Sequence, residues 1–189
     1  NRRDLLPFFT RRIGLSSGGQ PIPVVGGLRL TGQQGRWGIG LLNMQTRDFE
    51  EPSGDVRPGD NFTAIRMTRT LTEGTALGGF YFGRESSGTP AHNRVAGFDL
   101  LTQPSSKLRI EAFGMHSTTD AVPGDWAGRA GFSYEGNTNR AHFFHVHVGD
   151  AFQHDLGFVR RKDVGLSFGK YQKILRPQFG SRWVREHTF

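Results

Sequence analysis

Along residues 35–46, GRWGIGLLNMQT, the chain alternates: Trp37, Ile39 and Leu41 fall on one side of an extended backbone, and Gly38, Gly40, Leu42 and Met44 on the other. The same period of two runs through TALGGFYFGRE (75–85), NRVAGFDLLTQ (93–103), SKLRIEAFGMHS (106–117), DWAGRAGFSYEG (125–136) and NRAHFFHVHVGD (139–150). Each segment has the length of a strand, and none repeats its apolar residues at the helical period. Turn-forming clusters separate them: GQQG at 32–35, EGT at 73–75, QPSS at 103–106, VPGD at 122–125 and EGNTN at 135–139.

Two connections are longer and more polar, RDFEEPSGDVRPGD (47–60) and ESSGTPAHN (85–93). They alternate with the tight turns, so short connections gather at one end of the predicted meander and long ones at the other. Outer-membrane barrels have that asymmetry. The predicted fold is all-β: an antiparallel up-and-down meander of roughly ten strands, part or all of a transmembrane-type β-barrel. Residues 1–189 read as a single β domain and an internal slice of a larger barrel. Residues 1–20 form a lead-in, and 176–189, with charges on both faces and Pro177, form an end that breaks the pattern.

Sorting by parity predicts an uncharged face of Val24, Leu28, Leu30, Trp37, Ile39, Leu41, Ile65, Met67, Phe80, Phe82, Phe98, Leu100, Leu108, Ile110, Ala112, Trp126, Ala130, Phe132, Tyr134, Phe144, Val146 and Val148. The opposite face carries Arg29, Arg66, Asp99, Arg109, Glu111, Arg129, His145 and His147 among Gly38, Gly40, Gly97 and Gly131. Glycine weakens a strand, so Gly38 and Gly40 are expected to leave room where side chains crowd inside a curved sheet. One apolar and one polar face also describe each sheet of a soluble sandwich. Trp37, Trp126 and Tyr134 near strand ends, like an interfacial aromatic girdle, favour the barrel.

Composition adds limits. Cysteine is absent, which excludes disulfides and thiolate metal sites. Glycine at 27 and phenylalanine at 16 suit many short strands and turns. Mean hydropathy is -0.49 and no apolar run is long enough for a membrane helix, a test to which barrels are blind. A formal charge of +7 permits anionic partners.

The candidate chemistry is sparse. HFFHVH places His145 and His147 on one strand face, where both could reach a metal, and turns His142 the other way; no metal or other cofactor is expected. Asp99 and Glu111, on adjacent predicted strands and the same face, are the best pair for glycosidic acid and base work, but the surrounding arginines point to structural ion pairs. Arg11 with Arg12 and Arg160 with Arg161 suit rim anchoring or anion contact. NFT at 61–63 matches a glycosylation acceptor, and no phosphate loop, dinucleotide fingerprint or serine elbow occurs.

RRIGL (11–15), PIPVVGGLRLTGQQGRWGIGLLNMQT (21–46), NFTAIRMTRTL (61–71), NRVAGFDL (93–100) and GFVRR (157–161) together resemble the bacterial family catalogued as domain of unknown function 5916. The resemblance implies a barrel region of the bacterial outer membrane that follows a module similar to family 9 carbohydrate-binding modules. It implies outer-membrane lipid and glycans as partners; no catalysis is expected, and nucleic-acid binding through basic and aromatic strands is not expected because no RNP-type motif occurs. Ligand contact, if the polar face makes one, is expected from Arg29, Arg66, Asp99, Arg109, Glu111 and Arg129. Two alternatives stand beside this reading: a soluble β-sandwich module that binds acidic polysaccharide, and a glycan-acting hydrolase.

Overall fold

A computed structural model describes residues 5–9, 13–16, 19–51, 54–175 and 187–188. In chain order the strands are β1 (Leu5–Leu6), β2 (Val24–Gln34), β3 (Trp37–Thr46), β4 (Phe49–Glu50), β5 (Val56–Arg57), β6 (Asp60–Thr72), β7 (Thr75–Ser86), β8 (His92–Ser105), β9 (Leu108–Thr119), β10 (Asp125–Glu135), β11 (Asn139–Val148), β12 (Phe158–Val159), β13 (Val164–Leu175) and β14 (His187–Thr188). The described residues contain no helix. One sheet dominates, in the order β14-β13-β11-β10-β9-β8-β7-β6-β3-β2, with every pair antiparallel. It is not closed on itself: β2 and β14 are its edges.

The predicted turns fall close to the observed ones, although three residues each of GQQG and QPSS belong to β2 and β8. Gly35 and Gly74 sit in the two-residue connections β2–β3 and β6–β7 at φ of 57° and 83°, a region that side chains with a Cβ rarely adopt. The β8–β9 and β10–β11 connections lie at the same end. At the opposite end are the long connections 47–59, 87–91, 120–124 and 149–163, the first containing the β4–β5 hairpin and the last containing β12.

Cross-strand register assigns the faces. Leu28, Leu30, Trp37, Ile39, Met67, Leu77, Phe98, Trp126, Phe132, Tyr134, Phe143 and Tyr171 share one face and are all exposed. We call it the open face. Arg69, Glu85, Arg94 and Lys173 belong to it but stand toward strand ends, with Arg94 paired to Glu85 at 2.6 Å and Arg69 over the Trp37 ring. Asn43, Gln45, Asn61 and Thr63 close its upper margin with amide and hydroxyl hydrogen bonds.

The other face, the covered face, holds the core: Phe62, Phe80, Phe82, Val95, Met115, Phe144, Val146 and Val148 are all buried. Residues 5–9 and 150–159 lie against it at the long-loop end. There Leu5, Phe152 and Leu156 complete the cluster and Phe8 stacks on Phe82 at 5.2 Å. Each fully buried aromatic or branched side chain contributes about 1.5–3 kcal/mol. Asn93, 2% exposed, acts as a surrogate strand, donating to Gln153 O at 3.1 Å and accepting from Asp155 N at 3.0 Å. Ser117 accepts from Gln153 N at 3.2 Å. These buried polar groups are therefore satisfied, as burial requires.

Three expectations need correction. Phe80 and Phe82 lie opposite Arg66 and Ala64, and Phe144, Val146 and Val148 opposite Gly131, Arg129 and Ala127, so all five are on the covered face. Period two separates the two faces of a strand without saying which is which, and β7 carries apolar residues on both, as does β11 at Phe143 and Phe144. Val24 also lies on the covered side, because a bulge between Val24 and Gly26 shifts parity. His145 and His147 consequently stand on the open face, away from the arginines. Gly38 does make room, since a Cβ there would lie 2.7 Å from Thr68 Oγ1, but Gly40 faces open space.

Candidate functional site

All six predicted polar-face residues share the covered face. They cluster where that face is not overlaid, toward the short turns, except Arg29 on the β2 edge, which the fold leaves apart. Arg66 on β6 forks onto Asp99 on β8, with Nη1 to Oδ2 at 2.7 Å and Nη2 to Oδ1 at 2.8 Å. Between them on β7, Gly78 clears the path: a Cβ there would sit 2.6 Å from Asp99 Oδ2. A serine or alanine in its place would push the carboxylate out of the fork.

One strand further on, Glu111 faces two arginines. Arg129 Nη1 is 3.4 Å from its Oε1, and Arg109 Nε is 3.9 Å from its Oε2. The Arg129 side chain is only 12% exposed and its guanidinium lies 4.7 Å from the Phe144 ring centre, a cation on an aromatic face. Its Nε is buried without a hydrogen-bond partner. Next to this group a shallow depression is bounded by Arg109, Glu111, Gly131, Ser133 and His142.

Asp99 and Glu111 do come from adjacent strands, but diagonally: Asp99 is opposite Phe113, and Glu111 opposite Leu101. A glycosidic acid and base pair needs carboxyl oxygens turned to the substrate. Both Asp99 oxygens are taken by Arg66, and Glu111 lies between two guanidinium groups. The arrangement is a pair of cross-strand ion-pair groups on a sheet wall.

The histidines do not converge either. His145 Nδ1 is 2.8 Å from Ser167 Oγ on the open face, and no group of three or more metal-ligating side chains occurs among the described residues. Arg160 and Arg161 are exposed between β12 and β13; Arg11 and Arg12 lie outside the described residues. Asn61 of the NFT triplet is on β6, engaged with Asn43 and Gln45.

Sequence reasoning passed over the fixtures of the long-loop end: Arg84, Asn93, Ser117 and Asp155. The signal of the first three was the appearance of polar residues in phase with Phe82 and Val95, which becomes legible only once β7 is assigned to its true face; Asp155, on irregular backbone, gave none. Compared with protein-family models, curated proteins and solved structures, the chain matches none.

Proposed function

We propose that this chain is a length of wall from a β-barrel of the bacterial outer membrane, with the open face against hydrocarbon tails and the covered face toward an interior partly filled by residues 5–9 and 150–159. The observation that carries the reading is the open face itself. Leu28, Phe98, Trp126 and Tyr171 are 62%, 59%, 56% and 63% exposed, within a band on a face whose formal charges, Arg69, Glu85, Arg94 and Lys173, stand toward strand ends. Nine long strands about 4.8 Å apart make such a band roughly 38 Å wide, and at about 20 Å high it covers on the order of 700 Å². Water-facing monomers rarely carry apolar patches beyond a few hundred Å².

The soluble sandwich needs a second sheet over this band, and among the described residues none lies there. Aromatic residues bound the band: Trp37, Tyr134 and Tyr171 toward the short turns and Trp126 toward the long loops. From Trp126 to Tyr134, eight steps along one strand span roughly 27 Å, which suits a tilted strand crossing an apolar layer about 25 Å tall. Because unpaired backbone groups are intolerable in lipid, β2 and β14 must be met by further strands or by each other in the assembled wall. The role is structural and non-catalytic. Its association with glycan binding or passage is supported by the family resemblance, whose members place a carbohydrate-binding module before the barrel.

The test is lipid contact. With Trp183→Phe as background, the full chain is folded into vesicles whose acyl chains carry bromine, and tryptophan fluorescence is followed. Trp37 and Trp126 should be quenched, and gel mobility should change on heating. A monodisperse protein that needs no detergent and shows no quenching overturns the proposal.

A further inference from the structure

We infer that the covered face carries, at its short-turn end, a binding site for an organic oxyanion: a solute with a carboxylate or phosphate on a ring-shaped body. The inference takes from the barrel reading only the direction in which the site faces.

Four consecutive strands contribute one row across the sheet. Arg109 on β9 is opposite Ser133 on β10, Ser133 is opposite His142 on β11, and His142 is opposite Lys170 on β13. Three inter-strand steps make this row about 14 Å long. Every member can donate a hydrogen bond, and two are cations. Among the described residues, Ser133, His142 and Lys170 make no side-chain hydrogen bond or ion pair, and Arg109 has only its 3.9 Å approach to Glu111. At the other end of the same face, the buried polar groups Arg84, Asn93 and Ser117 all have partners supplied by the overlying segment. Where no described segment overlies the face, this row of donors has no closer acceptor among the described residues and is open to solution, and its alignment with two cations suits an acceptor that comes from solution.

Charge and shape narrow the class. Arg109, Arg129 and Lys170 share this part of the face with Glu111, which lies nearer Arg129, and with Glu135, which is paired with Arg140 at 3.2 Å, so the row keeps a positive excess. Gly131 forms the floor of the depression between Arg109 and His142; a Cβ there would lie 2.6 Å from Phe143 O. Beside the row, Phe168 is 45% exposed and stacked on Phe144 at 5.4 Å, with the His142 ring 6.3 Å from it. A half-exposed ring next to a cationic row can hold the apolar face of a ring while the row holds its oxyanion.

The experiment uses the full chain folded in detergent or vesicles, with three probes: D-glucuronate, D-glucose and inorganic phosphate. Binding is read by calorimetry and by the ring signals of His142. Glucuronate and phosphate should bind and shift those signals, and glucose should not. Arg109→Gln and Lys170→Gln should each weaken both anions roughly tenfold. Phe168→Leu should weaken glucuronate alone, and Arg29→Gln, on the same face but at the β2 edge, should change nothing. Heat-modifiable mobility equal to that of the parent shows that each variant is folded. No binding by the parent chain, or binding indifferent to Arg109 and Lys170, overturns the site. Phosphate bound as tightly as glucuronate, with Phe168→Leu silent, overturns the organic class. Bromolipid quenching on the same samples separates the two readings: quenching without binding removes this site alone, and binding without quenching removes the membrane wall alone.

Discussion

Arg84 on β7 donates from Nε to Asp155 Oδ2 at 2.6 Å, joining the wall to a segment 71 positions later in sequence. The same guanidinium reaches Asp60 Oδ1 and the carbonyl of Pro90, both at 3.1 Å, and its side chain is only 12% exposed. Arginine suits this place because its planar fork serves three acceptors in different directions, which a lysine ammonium cannot match in geometry. Arg84→Ala leaves two carboxylates facing each other without their cation. Because Asp60 and Asp155 keep partial solvent contact, at 23% and 35% exposure, the loss should be about 2 kcal/mol rather than the full cost of a buried pair. The urea midpoint of the folded chain should fall accordingly, with Arg84→Lys recovering part of it.

Two glycines on the covered face should respond in opposite ways to alanine. A Cβ at Gly97 would meet Gly114 O at 2.5 Å and the Phe80 ring at 2.6 Å, and the backbone carbonyl cannot swing aside. Gly97→Ala should therefore destabilise by about 1–3 kcal/mol. At Gly40 nothing lies within 4 Å and φ is not positive. Gly40→Ala should be neutral or stabilising by about 0.4–1 kcal/mol, through the entropy of the unfolded chain. Paired denaturation curves decide both, and a strongly destabilised Gly40→Ala would show that a neighbour fills the space above it.

This contrast also shows how far the sequence could be read. Alternation, together with turn glycines such as Gly35 and Gly74, located the long strands β2, β3 and β6 to β11 to within a few residues, because a half-buried strand and a tight turn are both local signals, whereas the short β4 and β5 fell inside a predicted connection. Which face of β7 is which was not local. It follows from the register that pairs Ile65 with Tyr81 and Ala64 with Phe82, and β7 is apolar on both sides. The arginine and acid set at 66, 99, 109, 111 and 129 was legible because charge appears on only one face in mid-strand. Its completion by Ser133, His142 and Lys170 needed the lateral pairing of β9, β10, β11 and β13. The overlying residues 150–159 were not legible at all, since irregular backbone on a sheet face leaves no period to detect.

Acid should loosen the long-loop end before the wall. Asp120, in the β9–β10 connection, accepts from the amides of Ala91 at 2.9 Å, the last residue of the β7–β8 connection, and His92 at 3.3 Å, the first of β8. Those amides, Ala91 foremost and then His92, hold its carboxyl below the ordinary aspartate range. A depressed folded value means that the tie is fully present above the unfolded value of about 3.9 and is lost as pH falls through the lower, folded one. Protection of the Ala91 and His92 amides against hydrogen exchange, relative to the intrinsic rate at each pH, should fall over that acidic window. In Asp120→Asn exchange should be fast already at neutral pH and show no such window; a parent chain without it would refute the tie.

The two faces differ most sharply in what a new charge would cost. Phe98 stands mid-strand on the open face of β8 and is 59% exposed. If water covered that face, Phe98→Arg would be a surface substitution worth no more than about 0.5 kcal/mol. Against hydrocarbon, an arginine near mid-depth should cost about 2–4 kcal/mol, less if its chain reaches the headgroups. Thr31 on β2 lies on the covered face and is exposed, so Thr31→Arg should be nearly silent in either medium. Reversible urea unfolding in vesicles and in detergent provides the comparison. A Phe98→Arg penalty of about 2 kcal/mol or more in vesicles, with Thr31→Arg unchanged, is the expected pattern; equal and small effects would place both residues in water.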